Sequence, residues 1–147
     1  MKVIIALLIL ATLASCSSRS GIETDTDWYL RSEFTWWEAK PEYKLRHVAE
    51  GQYMQTDFSV APDGTVFHLK VADSQWQRDK NCGMVNPSND EIRLDVWYPL
   101  TCDYDKDDLT PLYNAYHFYP PQKGRYQMQV KFAKGRPVSM LVTAISQ

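Results

Sequence analysis

Residues 67–76 read FHLKVADSQW, and the pattern of this segment is the main sequence evidence for the fold. Its side chains alternate in character, with Phe67, Leu69 and Val71 on one face and His68, Lys70 and Ala72 on the other. A period of two residues is typical of a β-strand that buries one face in a core and leaves the other outside. The stretch therefore predicts a strand that runs into a turn and places a lysine and a tryptophan near one rim.

Further strand-length segments flank this stretch on both sides, and turns rich in Gly, Pro, Asn and Asp separate them. No segment after the first fifteen residues keeps an apolar stripe of helical period for a dozen residues. The predicted strands are Trp28–Phe34, Tyr43–Val48, Tyr53–Val60, Thr65–Ala72, Glu91–Tyr98, Tyr113–Tyr119, Tyr126–Phe132 and Val138–Ile145. Short strands with regular turns predict an all-β, immunoglobulin-like antiparallel β-sandwich.

The chain begins with a short basic region and an apolar run, Val3–Leu13, that is too short to span a bilayer as a helix. The run ends in Leu13-Ala14-Ser15-Cys16, which resembles the lipobox of bacterial lipoproteins. The resemblance implies a signal peptide over residues 1–15, a lipidated Cys16, and sorting to the outer membrane because Ser17 follows. An ordinary signal peptide cleaved near the same place is the alternative.

The rest of the chain divides into a tether and one domain. Residues 16–27 are polar and aperiodic, which indicates a flexible tether, and residues 28–147 have the length of a single domain. The formal net charge of the 147 residues is −2. Nucleic acid attracts strongly basic surfaces, so this balance gives no support to a nucleic-acid partner.

Two cysteines remain once Cys16 is assigned to the lipid. An even pair in an exported chain predicts a disulfide, here between Cys82 and Cys102. Closing a loop of about 20 residues contributes about 3 kcal/mol in the chain-entropy model. Two free thiols or a metal site are the alternatives, but neither cysteine belongs to a CxxC pair or has a suitably spaced histidine.

Two aromatic-rich segments carry a family resemblance. WYLRSEFTWW at residues 28–37, followed by FHLKVADSQW at 67–76, resembles the early-set β-sandwich modules called family 48 carbohydrate-binding modules. These modules precede the catalytic barrel in pullulanases and branching enzymes, and the glycogen-binding domain of the AMP-activated kinase β subunit is similar. Residues 114–144 resemble the last strands of the family more loosely. Ser32 and Ser74 depart from the family pattern, which has glycines at these places.

The resemblance implies a sugar site formed by Trp37, Lys70, Trp76 and, in the closing segment, Asn114. A glucose ring has an apolar C–H face and a polar rim, so indoles provide stacking surfaces while an ammonium and an amide bind hydroxyls. The alternatives stay open at this point. In the alternative interpretation both tryptophans are core residues and Lys70 is a solvated strand residue.

An insertion relative to the family spans residues 81–112 and contains the predicted disulfide. It is expected to include a strand with Ile92, Leu94, Val96 and Tyr98 on one face, and it would either cover the sugar site or extend it. Its acidic loop, Asp103–Asp108, lacks the glycine and glutamate of an EF-hand. The histidines also lack metal-ligand spacing, so no metal or other cofactor is predicted.

The sequence shows no motif of a hydrolase, a kinase or a nucleotide-binding protein, and the catalytic barrel that accompanies the family in pullulanases is missing. We therefore expect a lipid-anchored, non-catalytic module that binds an α-glucan or a related envelope polysaccharide. The alternative is a structural or interaction lipoprotein that docks on another envelope protein through sheet edges or exposed aromatics.

Overall fold

The computed structural model describes residues 22–48, 53–61, 64–105 and 107–145, and these form an all-β domain. The predicted signal peptide and Cys16 lie outside the described residues. Within the described ranges there is no α-helix, and short 3₁₀ helices connect some of the strands. The strands are β1 (Tyr29–Arg31), β2 (Arg46–His47), β3 (Tyr53–Val60), β4 (Phe67–Ala72), β5 (Asn81–Met84), β6 (Glu91–Ile92), β7 (Tyr98–Thr101), β8 (Tyr116–Phe118), β9 (Gly124–Ala133) and β10 (Arg136–Ile145).

The strands form one hydrogen-bonded path in the order β2-β3-β9-β10-β7-β5-β4-β8-β6, and β1 pairs with β4. Every pairing between neighbours is antiparallel except that of β6 with β8, which is parallel. Strand β7 joins the half that contains β3, β9 and β10 to the half that contains β4, β5 and β8. The two halves face each other, which confirms the predicted β-sandwich.

The core lies between the two halves and is rich in aromatic rings. Phe58 on β3 stacks on Tyr126 of β9, with ring centroids 5.8 Å apart, and meets the edge of Phe118 on β8 at 6.0 Å. Strand β9 alternates as a half-buried strand should, since Tyr126, Met128 and Val130 are fully buried while the residues between them are not. These inward faces fix the register of β3, β9 and β10.

The predicted strand Glu91–Tyr98 is wrong. Strand β6 ends at Ile92, Asp95 adopts a left-handed backbone with φ 62°, and the chain resumes as β7 at Tyr98. The hydroxyl of Tyr98 accepts a hydrogen bond from the backbone N–H of Arg93 at 2.9 Å, which closes this turn. Val96, expected on the apolar face, is exposed.

The predicted disulfide is confirmed. Cys82 on β5 is bonded to Cys102, the residue that follows β7, with Cα atoms 4.2 Å apart. Both half-cystines are buried, and β5 and β7 pair directly beside them. The bond therefore links β5 to the end of β7 within the insertion.

Residues 22–27 belong to the predicted tether, yet they contact the domain. Ile22 packs against the core, and the Thr24 hydroxyl accepts a hydrogen bond from Trp28 Nε1 at 3.1 Å. Asp27 forms an ion pair with Lys44 at 2.7 Å. The packed domain therefore begins by residue 22, six residues before the predicted boundary at Trp28.

In the described ranges there is also no helix with the length and apolar character needed to cross a bilayer.

Candidate functional site

A groove of about 590 Å³ opens beside the turn that follows β4. It brings together residues of the two segments at 28–37 and 67–76, residues of the insertion, and residues of β8 and of the chain just before it. We call this feature the groove and define it by the residues that line it: Glu33, Trp37, His68, Lys70, Trp76, Asn81, Pro111, Tyr113, Ala115 and His117. Three of the four predicted sugar-binding residues line the groove, and the fourth, Asn114, lies directly beneath it.

Trp37 and Trp76 form one wall of the groove. Their ring centroids are 6.3 Å apart, and the ring planes are tilted by 45°. Trp76 is 36% exposed and Trp37 is half-buried. Both residues adopt a left-handed backbone, with φ 59° for Trp37 and φ 56° for Trp76. Such a conformation costs a bulky residue on the order of 1–3 kcal/mol and is concentrated at functional sites, so these turns serve to present the rings.

Arg31, at the end of β1, holds both tryptophan turns together. Its guanidinium is buried, donates hydrogen bonds to the carbonyls of Trp37 and Asp73, and lies 4.5 Å from the centroid of the Trp76 ring. Burial lowers the pKa of Arg31, although the Asp73 carboxylate opposes that shift. A forked cation can reach two carbonyls and still stack on an indole, which a lysine ammonium does less well.

Asp73 closes the loop that carries Trp76. Its carboxylate oxygen Oδ1 accepts hydrogen bonds from the backbone N–H groups of Gln75 at 3.1 Å and Gln77 at 3.0 Å. Its own backbone N–H donates to the carbonyl of Lys80 at 3.1 Å. An aspartate that binds the backbone two residues ahead stabilises a tight turn, so the position of the Trp76 indole is set before any ligand arrives.

Lys70 contradicts the expectation that its face of the strand is solvated. Only 3% of the residue is exposed, because residues of the insertion and of the segment before β8 pack over this face of β4. The ammonium donates hydrogen bonds to the carbonyl of Pro111 and to Asn114 Oδ1, the latter at 2.6 Å. An ammonium has three N–H donors, and two of them have partners among the described residues, so the third is open to a ligand in the groove that Lys70 lines.

Asn114 is fixed by the insertion. Its amide nitrogen donates to the Met84 carbonyl at 3.3 Å and to the Tyr104 hydroxyl at 2.5 Å. Gly83 passes so close that a Cβ there would lie 2.5 Å from Asn114 Oδ1. Asn114 is not among the residues that line the groove, and it orients Lys70 from below.

The burial of Lys70 predicts an unusual dependence of stability on pH. Desolvation lowers its pKa to about 8, while the unfolded chain keeps the proton up to about pH 10.4. Between these values the unfolded state binds more protons, so the free energy of unfolding rises with pH.

From pH 8 to pH 9.5 we expect a gain of about 1.5 kcal/mol over the variant Lys70→Met, measured by denaturant unfolding at each pH. Lys123→Met removes an exposed lysine and should track the wild type. Parallel pH curves for the wild type and Lys70→Met would contradict this prediction.

The insertion contributes to the groove as well as supporting it. Asn81 and Pro111, at its two ends, both line the groove. The Asn81 amide nitrogen donates to the Pro111 carbonyl at 3.2 Å, whereas its buried oxygen Oδ1 has no hydrogen-bond partner among the described residues. The insertion therefore extends the predicted site and leaves it open.

The groove continues from Lys70 to a pair of histidines that the sequence prediction did not select. His68 lies two residues before Lys70 on β4, and His117 is its register partner on β8. Nδ1 of His68 lies 2.5 Å from a Glu33 carboxylate oxygen, and Nδ1 of His117 lies 3.2 Å from Asp90 Oδ2. Burial opposes the change, but hydrogen bonds from the His68 backbone and ring lower the pKa of Glu33, which is therefore ionised at neutral pH.

The sequence carried signals for some of the residues it missed. His68 shares the face of Lys70 by the period of two, and Tyr113 precedes the predicted Asn114. Arg31 gave no signal, because its carbonyl partners are 6 and 42 residues away. Trp36, next to Trp37, is 78% exposed and does not line the groove. Among the described residues, no cluster of three or more His, Cys, Asp or Glu side chains could hold a metal ion.

The chain is similar in structure to the ligand-induced structure of AmyP-SBD, a starch-binding domain, with a TM-score of 0.54 and 19% sequence identity. The alignment covers 96% of this chain and 97% of that chain. No family model and no curated protein matches the chain. A likeness at this identity shows a shared fold, so the chain has the β-sandwich fold of that starch-binding domain.

Proposed function

We propose that this protein is a non-catalytic carbohydrate-binding lipoprotein whose groove binds an α-glucan. The observation that carries the proposal is the grouping of Trp37, Trp76 and Lys70 in one groove. Two indoles supply surfaces for the apolar face of glucose, and the free N–H of Lys70 is available to a hydroxyl. The shared fold with a starch-binding domain and the resemblance to family 48 modules support the same class of ligand.

The tilt of the tryptophan rings favours a curved glucan over a flat one. Successive sugar rings of a β-1,4 chain present nearly coplanar faces, whereas those of an α-linked chain turn along a helix. The planes of Trp37 and Trp76 differ by 45°. A wall bent in this way fits an α-linked chain, with one sugar ring against each indole.

The composition of the groove supports a binding role without catalysis. Glycoside hydrolysis needs two carboxylates across the scissile bond. Of the residues that line the groove, Glu33 alone carries a carboxylate, and that group is hydrogen-bonded to His68.

Truncating Trp76 tests the proposal. We expect Trp76→Ala to weaken binding of a linear malto-oligosaccharide by at least about tenfold, because the variant loses the apolar contact area of one stacked ring. The measurement is calorimetric titration of the purified protein with the disulfide intact. Trp36→Ala removes a neighbouring exposed indole outside the groove and should bind as the wild type does. The absence of heat and of any fluorescence change with the wild type would refute the proposal.

The membrane anchor is part of the proposal. A lipidated Cys16 would hold the protein at the outer membrane, and few residues separate that cysteine from Ile22, which packs on the domain. The groove would then bind its polysaccharide close to the bilayer. Fatty-acid labelling of the wild type and of Cys16→Ser tests the anchor.

A protein-interaction role is the second candidate, and the exposure of Trp36 favours it. Trp36 is 78% exposed, and tryptophan is enriched among the residues that anchor protein interfaces. Trp36→Ala separates the two candidates, because loss of an envelope crosslink with unchanged glucan binding would assign that ring to a protein partner.

A further inference from the structure

The two histidines of the groove contact each other, and each also contacts a carboxylate. The small gain in stability from these contacts does not explain the arrangement. Their rings meet edge to face, with centroids 4.7 Å apart. Each ring is paired through Nδ1 with a carboxylate, His68 with Glu33 and His117 with Asp90. All four side chains are between 32% and 40% exposed. Even a fully charged pair this exposed contributes at most about 1 kcal/mol, so stability alone gives little reason for two such contacts side by side.

The carboxylates determine which ring atom is left for a ligand. A neutral imidazole that donates from Nδ1 to a carboxylate has Nε2 as an acceptor. Within the described part of the chain, neither Nε2 takes part in a hydrogen bond. The pairing also holds each ring in one orientation, as carboxylates do for the histidine ligands of metal sites. Both rings line the groove, so two oriented Nε2 atoms are available there to a sugar hydroxyl, which can donate or accept a hydrogen bond.

The distance from Lys70 to the histidine pair along β4 suits a chain of linked sugar units. His68 and Lys70 lie on the same face of β4, separated by about 6.6 Å of strand. That spacing is comparable with the length of one hexose ring. A sugar chain that stacks on the tryptophan wall and passes Lys70 would bring its next unit over the two imidazoles, with Tyr113 beside them.

We propose that His68 and His117 form a second subsite of the groove, in which their Nε2 atoms form hydrogen bonds with the hydroxyls of the sugar unit next to those on Trp37 and Trp76. The inference rests on the proposed function. It identifies the ligand as an internal stretch of a chain several units long, because a mono- or disaccharide cannot occupy both the tryptophan wall and the histidine subsite.

Chain length is the variable that tests this subsite. Calorimetric titrations with maltose, maltotetraose and maltoheptaose would be compared for the wild type, His117→Phe and His68→Phe. Phenylalanine keeps a ring for packing and removes the ring nitrogens. We expect each variant to bind the heptasaccharide about threefold to tenfold more weakly, which corresponds to one lost neutral hydrogen bond. The shortest saccharide that binds should keep its affinity within about twofold, and His47→Phe, at an exposed histidine on β2, should have no effect.

A measurement on the wild type guards against variants that fold poorly. Nitrogen-15 spectra of the histidine side chains would be recorded during titration with maltoheptaose. The Nε2 signals of His68 and His117 should shift as the site saturates, and that of His47 should not. Unchanged Nε2 signals at saturation would overturn the inference, and so would an equal loss of affinity for short and long saccharides. If the wild type bound no α-glucan at all, the proposed function would fail, and this inference with it.

Discussion

Replacing Arg31 with methionine is expected to weaken glucan binding by at least about tenfold and to lower the free energy of unfolding by about 3 kcal/mol. The stability loss follows from two buried carbonyls, those of Trp37 and Asp73, that lose a charged donor. Each hydrogen bond to a charged group contributes about 1.5–3 kcal/mol, and methionine recovers part of the loss by filling the volume. The binding loss follows because the guanidinium joins both tryptophan turns and lies against the Trp76 ring.

Two further variants isolate the cause. Arg46→Met removes the same charge from an exposed position on β2 and should change neither quantity. Arg31→Lys keeps the charge but not the fork, so it should recover part of the stability and little of the binding. Unfolding in guanidinium chloride gives the first quantity, and calorimetric titration with maltoheptaose gives the second. An Arg31→Met protein that binds the glucan as tightly as the wild type would show that the tryptophan turns do not depend on this residue.

Removing the disulfide is expected to lower the free energy of unfolding by about 3 kcal/mol, because it releases a loop that the bond closes across a sequence separation of 20 residues. The effect should extend to the groove. Strand β5 supports Asn114 through Gly83 and Met84, and Asn114 in turn positions Lys70. The double variant Cys82→Ala/Cys102→Ala should therefore also bind glucan more weakly.

Comparison with the reduced wild type separates the effect of losing the disulfide bond from the effect of replacing the two cysteine side chains. The wild type treated with a reductant keeps both sulfurs and should lose nearly the same stability as the double variant. The double variant itself should be insensitive to reductant. If reduction left the unfolding midpoint unchanged, the β5–β7 pairing alone would be holding the insertion in place.

Local patterning predicted much of the fold. Strand β3 has the bounds predicted for it, and β9 and β10 extend their predictions by at most two residues at either end. These strands are long, and their inward residues alternate, so the period of two is visible in the sequence. Strand β5 was missed because all four of its residues are buried, which removes the alternation. Strand β7 contains Pro99, which counts against a strand in any local pattern.

The resemblance selected some of the residues that line the groove and gave no information on others. The resemblance selected Trp37, Lys70 and Trp76, and the structure brings these three residues into one groove. It did not show that Lys70 is buried, because the covering residues come from the insertion, which departs from the family. Arg31 was missed for a similar reason. An arginine on a strand is usually solvated, and only the tertiary arrangement of two distant turns reveals its buried role.

The ends of the strand path have a consequence for how the protein behaves at high local concentration. The path terminates in β2 and β6, and each of these strands is two residues long and carries a charged residue, Arg46 or Glu91. Sheet edges this short give an incoming strand almost nothing to pair with, which is how natural β-proteins avoid edge-to-edge aggregation. A lipid anchor would crowd many copies into a thin layer, and blunt edges would let those copies stay separate while their grooves remain open.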